Sequence, residues 1–324
     1  MRSTSERRIF SSVAVRVVCL GFGVGGLLGF VRAASAAPCC GGASALPQLI
    51  TGDDRAQVSA SLSHGNVIGD APPQGIPVFR AASDSERVQI LRFDAAYLVE
   101  ERLQVGMGLP LVRRSRSFSE KDGSSATGLG DLGASAAYEF LPQWTYSAWK
   151  PRGFVFTQIT VPTGPSIYDA SQSHLVDARG RGYWSAAAGV AFVKSWGNWD
   201  ALASIEGHRS FSRTVSSSDG QSISLHPGWG ASALLGGGFS PGGGDLRLGL
   251  SLSPVHEGAI DVEGGVTSRS EAQLAWNTSA QVGYLLSPEW SSSLAYTDQT
   301  LLGPARNVSL SRTVMLSLQH RWPL

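Results

Sequence analysis

Residues 246–253 read Leu-Arg-Leu-Gly-Leu-Ser-Leu-Ser. Every second residue is leucine, and between the leucines stand Arg247, Gly249, Ser251 and Ser253. A period of two is the signature of an extended strand, because successive side chains point to opposite faces. A helix of this sequence would split the leucines between two opposite sides. One face of the strand therefore meets an apolar medium and the other meets water or small polar groups.

The same pattern recurs outward in both directions. Leu103, Val105, Met107, Leu109 and Leu111 alternate with Arg102, Gln104, Gly106 and Gly108. Trp276, Ala280, Val282, Tyr284 and Leu286 alternate with Asn277, Ser279, Gln281 and Gly283. Val308, Leu310, Val314, Leu316 and Leu318 alternate with Ser309, Ser311, Thr313, Ser317 and Gln319. These runs are longer than the five or six residues usual in soluble sheets. Aromatic residues sit at their ends, among them Tyr97, Trp144, Trp149, Tyr183, Trp184, Trp196, Trp199, Trp229, Trp290 and Trp322. Long alternating strands with aromatic ends are expected of a barrel whose apolar face points out to lipid.

Twelve strands are expected, at about 55–68, 86–99, 102–116, 128–141, 153–163, 181–196, 198–212, 224–239, 245–255, 272–286, 289–301 and 308–322. The connections alternate in length. Short ones fall at Glu100-Glu101, Gly197, Pro241 to Gly244 and Ser287-Pro288, with a longer one at 142–152; long ones fall at 69–85, 117–127, 164–180, 213–223, 256–271 and 302–307. The fold class expected is therefore all-β: a transmembrane, antiparallel, up-and-down β-barrel with both termini on the short-turn, periplasmic side. A terminal strand must close such a ring, because an open edge in lipid leaves backbone groups unpaired.

The N-terminus carries its own signal. Arg2, Arg7 and Arg8 precede a stretch, Ile9 to Val31, that is apolar apart from Arg16 and two serines, and Ala34-Ser35-Ala36 follows. A basic head, an apolar core and small residues at a cleavage site mark a secretory signal peptide. The chain is thus divided into a signal peptide at 1–36, a periplasmic lead-in at 37–54 and an outer-membrane barrel at 55–324. Mass spectrometry of the envelope protein is expected to find the mature chain beginning at or near Ala37; intact Met1 to Ala36 would refute cleavage. Cys19 leaves with the leader. Cys39 and Cys40 remain as an adjacent pair, too few ligands for a metal site.

Composition narrows function. The net charge is +1, charged residues make up 16% of the chain and glycines number 39. No basic cluster interleaved with aromatics marks a nucleic-acid surface. The histidines are His64, His174, His208, His226, His256 and His320, and none stands in a nucleophile or metal-ligand motif. Gly128-Leu129-Gly130-Asp131-Leu132 lacks the spacing and the βαβ setting of a nucleotide loop, and reads as a tight entry into a strand. No enzymatic activity, cofactor or metal is expected. The alternation instead assigns inward-facing, lumen-lining residues: Arg92, Asp94, Asp131, Glu139, Glu206, His208, Arg247 and Arg321, with Gln104, Asp200, Gln281 and Gln319, and with small residues between them. Their mixed signs argue against a strongly ion-selective ring.

Thr127-Gly128-Leu129-Gly130-Asp131-Leu132, continued by Ala134-x-Ala136-Ala137-Tyr138-Glu139-Phe140, and Val161-Pro162-Thr163-Gly164-Pro165 resemble two motifs of one family. It is the outer-membrane barrel family described as transporters of the phenol meta-degradation pathway, related in architecture to long-chain fatty-acid channels. The resemblance covers about residues 127–165. It implies a barrel passing small hydrophobic or aromatic molecules, although the lead-in at 37–54 is short for a plug.

The leading expectation is a passive channel for a small-molecule solute. The alternatives are a non-transporting surface barrel that binds a partner or covers the cell, and a lipid-modifying outer-membrane enzyme. The expected partners are outer-membrane lipids, and the barrel-assembly machinery during biogenesis.

Overall fold

The computed structural model describes residues 46–119, 122–216, 222–264 and 268–324. The leader and the cysteine pair Cys39-Cys40 lie outside the described residues. Twelve strands form the wall: β1 (Asp54–Ala71), β2 (Ser85–Leu98), β3 (Leu103–Ser119), β4 (Leu132–Leu141), β5 (Arg152–Val161), β6 (Ser185–Trp196), β7 (Trp199–Ser210), β8 (Trp229–Phe239), β9 (Leu246–Glu257), β10 (Gln273–Leu285), β11 (Trp290–Asp298) and β12 (Val308–Pro323). Each pairs antiparallel with its sequence neighbours, and β12 pairs back onto β1 from Asp54↔Pro323 to Ala71↔Val308. The ring is closed, so its backbone polar groups find partners within the wall. No helix of the described residues is long and apolar enough to cross a membrane.

The register fixes which face is which. Leu248 stands opposite Phe239 and Val282, and Leu250 opposite Gly237 and Ala280. Leu62, Phe93, Met107, Ile205, Leu235, Leu294 and Leu316 share this outward face, and all are exposed. A face of exposed leucines is stable only against another apolar phase. Trp199, Phe239, Tyr284, Trp290 and Trp322 ring the outer wall near the short turns, while Trp184 and Trp229 stand toward the long-loop end. These are the two girdles expected at lipid–water boundaries.

Four expected loops contain strand residues, Val78–Phe79 within 69–85 among them. Residues 117–127, expected to be a loop, belong mostly to a hairpin: Asp122–Leu129 pairs with the outer half of β3, from Leu111↔Leu129 to Ser119↔Asp122. This segment and β4 are one barrel strand broken at Gly130-Asp131. The break faces Pro110, which has no N–H to donate; instead the Gly130 N–H donates to the Pro110 carbonyl at 2.9 Å. Three residues (130–132) oppose two (109–110), so the facing parity shifts by one across the break.

The expected loops 213–223 and 256–271, with the first residues of the strand expected at 224–239, supply a small four-stranded sheet: Arg213–Ser216, Ser222–Pro227, Ile260–Glu263 and Ser268–Arg269, in that order. It continues the wall of β7 to β10 beyond the bends at Gly228 and Gly258. Val215 and Leu225 pack with Tyr183 into a core of their own, joined by Tyr168, Ile223, Ile260 and Val262. The alternation of Val215, Ile223, Leu225, Ile260 and Val262 was too short and too interrupted by Ser, His and Gly to stand out from solvated loop.

Candidate functional site

The candidate site is the bore and its outer mouth. Opposite Leu248, Leu250 and their peers, the register puts Arg92 and Asp94 on the inner face of β2, Glu139 on β4, Glu206 and His208 on β7, Arg247 on β9 and Arg321 on β12. Most of these charges are paired. Arg92 Nε donates to both carboxylate oxygens of Asp94, at 2.8 and 2.9 Å. Facing Asp94 on β3 is Gly108, where a Cβ would lie 2.6 Å from both the Arg92 guanidinium and the Asp94 carboxylate. Glycine at that point lets the pair lie flat across the wall. Arg152 holds Glu139 through two bonds of 2.6 and 3.0 Å, and Arg247 holds Asp200, with Nε donating at 2.7 Å. Arg321 donates to the Pro288 carbonyl at 3.2 Å, at the short-turn end.

Glu206 and His208 join a network at the outer end. Gln158 donates to Glu206 at 2.7 Å, and His208 Nε2 lies 3.0 Å from Glu257. Between β7 and β9 stands Gly230, whose Cβ would collide with the His208 ring, so His208 reaches Glu257 only because β8 carries glycine there. Glu257 also binds Arg181, from the connection between β5 and β6.

Asp131 is placed differently from the other expected lining residues. It accepts from the backbone N–H of Gly164 at 3.1 Å and of Arg181 at 2.6 Å. Thr163 Oγ1 donates to the Gly130 carbonyl at 2.5 Å and accepts from the Leu132 N–H at 3.2 Å. The two sequence motifs, 127–132 and 161–165, therefore meet: one supplies the broken strand, the other the point where β5 leaves the wall. Asp131 serves as the anchor of loop 162–184 and does not stand free in the bore.

That loop lies across the mouth. Arg114, on the inner face of β3, donates to the Ala178 carbonyl, and His174 packs edge-on against Phe118 at 4.9 Å. Three residues after Ala178, Arg181 reaches Glu257 on β9. In a ring of twelve, β3 and β9 are six strands apart, on opposite walls. The loop is held in shape by its own carboxylates. Burial alone would raise the Asp177 pKa, but the amides of Ser171 and Gln172 donate to it and hold it below the usual carboxylate range. Burial of Asp169 is likewise outweighed, here by Arg213 and Ser166.

The inner end is also occupied. Ile50 is buried, its N–H donates to Gln104 Oε1 at 2.6 Å, and Gln57 donates to the Leu49 carbonyl at 2.9 Å. Leu46 and Leu49 pack on Ala137, Phe154, Phe156 and Ala191, all inner-face residues. The lead-in, expected to be too short for a plug, thus places its last residues inside the barrel.

What remains open is the wall from β9 to β12. Its inner face carries Ser251, Ser279, Gln281, Gly283, Ser291, Ser293, Ser317 and Gln319, each partly accessible rather than buried. Sequence reasoning missed Glu86, Arg114, Glu257, Arg152 and the two phenylalanines. Glu86 shares its parity with Arg92 and Asp94, and Glu257 shares its parity with Arg247, so alternation held the signal for both. Phe154 and Phe156 alternate with Val155, Thr157 and Ile159, so both faces of β5 read as apolar.

Among the described residues no group of three or more His, Cys, Asp or Glu could hold a metal ion. This architecture has a solved counterpart. It is an outer membrane channel from Pseudomonas putida F1. The two align with a TM-score of 0.63 and 15% identity, over 84% of this chain and 97% of that one. The transport unit of the autotransporter AIDA-I from Escherichia coli aligns less well, with a TM-score of 0.49 and 8% identity over 85% of this chain and 93% of that one. No family model and no curated protein matches the sequence. At such identity the likeness is one of fold.

Proposed function

We propose that this chain is an outer-membrane channel through which small solutes pass passively, and that its preferred solutes are small hydrophobic or aromatic molecules. The observation that carries the reading is the asymmetry of the bore. The side from β4 to β6 is filled by Phe154 and Phe156 with Leu46 and Leu49 packed on them, whereas most inner-face residues of β9 to β12, such as Ser251, Ser279, Gln281 and Ser293, are short or polar and partly accessible. A passage with Leu46 and Leu49 on one side and hydroxyls and amides on the other disfavours bulky, hydrated solutes. The resemblance of 127–165 to the phenol-pathway transporters supports an aromatic solute, and the fold shared with an outer membrane channel supports passage through the bore. The solved counterpart is a channel, which supports a non-catalytic role.

A second reading keeps one observation in its favour. The loop across the mouth and the sheet beside it have their own core, which suits a surface barrel that binds a partner.

Planar-bilayer recording and vesicle uptake of a labelled phenol decide between them. The channel reading expects small but measurable conductance and phenol entry. The Arg92 side chain is 46% exposed within the bore. Arg92→Ala leaves the Asp94 carboxylate without its cation, so the reversal potential should shift toward cation preference while thermal stability stays near that of the parent. A parent that neither conducts nor admits phenol would leave the surface-protein reading standing.

A further inference from the structure

The outer wall changes character along one latitude. Going toward the long loops, Leu62 gives way to His64 and Asn66 on β1, Leu91 to Gln89 and Arg87 on β2, Leu111 to Arg113 and Ser115 on β3, and Val314 to Arg312 on β12. All of these lie on the outward face. The line is where the apolar band ends.

Immediately beyond it stand three arginines on adjoining strands. Arg312 faces Asn66, which faces Arg87; Arg113 faces Gln89, one pair lower. Strands in a sheet lie about 4.8 Å apart, so Arg312 and Arg87 stem from points roughly 10 Å apart. Arg87 and Arg113 are diagonal neighbours, about 7–8 Å apart at the backbone. Three guanidinium groups on flexible stems can therefore converge on one anionic group.

Pairing sets two of them apart from most of the arginines inside. Arg92, Arg152 and Arg247 each hold a carboxylate within 3.0 Å. Arg87 and Arg113 are exposed, and among the described residues neither has a carboxylate within ion-pair distance. Arg312 is tied to Asp298 at 2.9 Å yet keeps half its side chain accessible. Amides and a hydroxyl surround them, at Asn66, Gln89 and Ser115. Exposed cations at the rim of an apolar band reach both water and the anionic head groups of a membrane, which attract them.

We propose that this patch on β12, β1, β2 and β3 binds the phosphorylated head group of a lipid in the outer leaflet, with the acyl chains lying on Leu62, Leu91 and Leu111 below it. Guanidinium forks match phosphate oxygens in pairs, which suits arginine over lysine here. The lipid is a fixed tenant of the outer wall and takes no part in passage through the bore. The proposal rests on the barrel lying in the outer membrane and on nothing about conduction.

The test titrates purified protein in non-ionic detergent with diphosphoryl lipid A, and separately with phosphatidylcholine, reading bound lipid by native mass spectrometry. Losing a charge-assisted hydrogen bond to phosphate weakens affinity about tenfold or more per arginine removed. R87Q/R113Q is expected to weaken lipid A binding at least tenfold and to leave phosphatidylcholine binding unchanged. Arg209→Gln, on the outward face of β7 against the Trp229 ring, should change neither. Raising salt should weaken lipid A binding by the parent protein, a readout that stands even if the double variant folds poorly. Equal lipid A binding by parent and double variant, or binding indifferent to salt, overturns the proposal. Fractionation of the producing cells separates the two levels: a protein absent from the outer-membrane fraction sinks the membrane reading itself, whereas a protein present there without lipid A preference sinks only the lipid site.

Discussion

Glu86→Ala is expected to lower the stability of the barrel by about 3–5 kcal/mol, the largest loss among the polar substitutions considered. Glu86 is 2% exposed and stands among three arginines. Arg80 donates to one of its oxygens at 2.8 Å, Arg114 Nε donates to the other at 2.9 Å, and Arg116 lies 3.7 Å away. Arg80 is shared with Asp70 through bonds of 2.8 and 2.9 Å, and Asp70 accepts from Ser309 at 2.7 Å. One carboxylate therefore ties together the end of β1, the following loop, β2 and β3, and through Arg114 the loop across the mouth. Removing it takes the carboxylate from the buried Arg114 guanidinium and leaves Arg80 to Asp70 alone, and the penalty is chiefly the charge no longer compensated. Glu86→Gln keeps the shape and two hydrogen-bonding atoms but loses the charge, so it should fall between parent and alanine variant. Urea unfolding of detergent-folded or vesicle-inserted protein measures both. A loss under 1 kcal/mol for Glu86→Ala would show that the rim relaxes and water replaces the carboxylate.

Why Glu86 escaped sequence reasoning, although Arg92 and Asp94 on the same strand did not, says where the sequence stops being legible. The alternation of 246–253 and its counterparts follows from one physical fact, two different solvents on two faces, and that fact acts on every residue of every strand. Strand number, order, closure and facing were therefore readable. Glu86 sits where β2 emerges from the apolar band, and there the outward face is polar too: Arg87 and Gln89 stand on it. With both faces polar, alternation loses its contrast. The same loss hides the outer hairpin Asp122–Leu129, whose Gly-Ser-Ser-Ala-Thr-Gly run reads as loop. Folding of the mouth and of Leu46–Thr51 into the bore depends on contacts between segments far apart in sequence, such as Arg181 with Glu257 and Gln104 with Ile50. No local pattern encodes these. The motif residues Asp131 and Thr163 were legible as a pair of motifs, yet their joint task of fixing the loop became visible only once β4 and β5 lay side by side.

Leu250→Arg is expected to cost about 2–4 kcal/mol, while Ser251→Arg, one residue along the same strand, should cost much less. The two positions share a depth and differ only in facing. Leu250 is 70% exposed and stands opposite Gly237 on one side and Ala280 on the other. Toward the short turns the same outer face reaches Tyr284, paired with Leu246; toward the long loops it reaches Trp276, paired with Pro254. Leu250 is thus midway between two aromatic levels, where the hydrocarbon is thickest and a guanidinium has the longest path to water. Gly237 beside it offers no side chain to cover the charge. Ser251 faces Gly236 and Ser279 across the inner wall, on the side of the bore that small residues leave partly accessible. An arginine there finds hydroxyls and water, and its cost is crowding, not desolvation. The same crowding should reduce solute passage, so Ser251→Arg is expected to fold and to conduct less than the parent. Unfolding free energies of the two variants in lipid vesicles measure the difference. Equal costs at the two positions would mean that the bore along β9 to β12 is as dry as the lipid outside, and the passage assigned to that wall would have no room to exist.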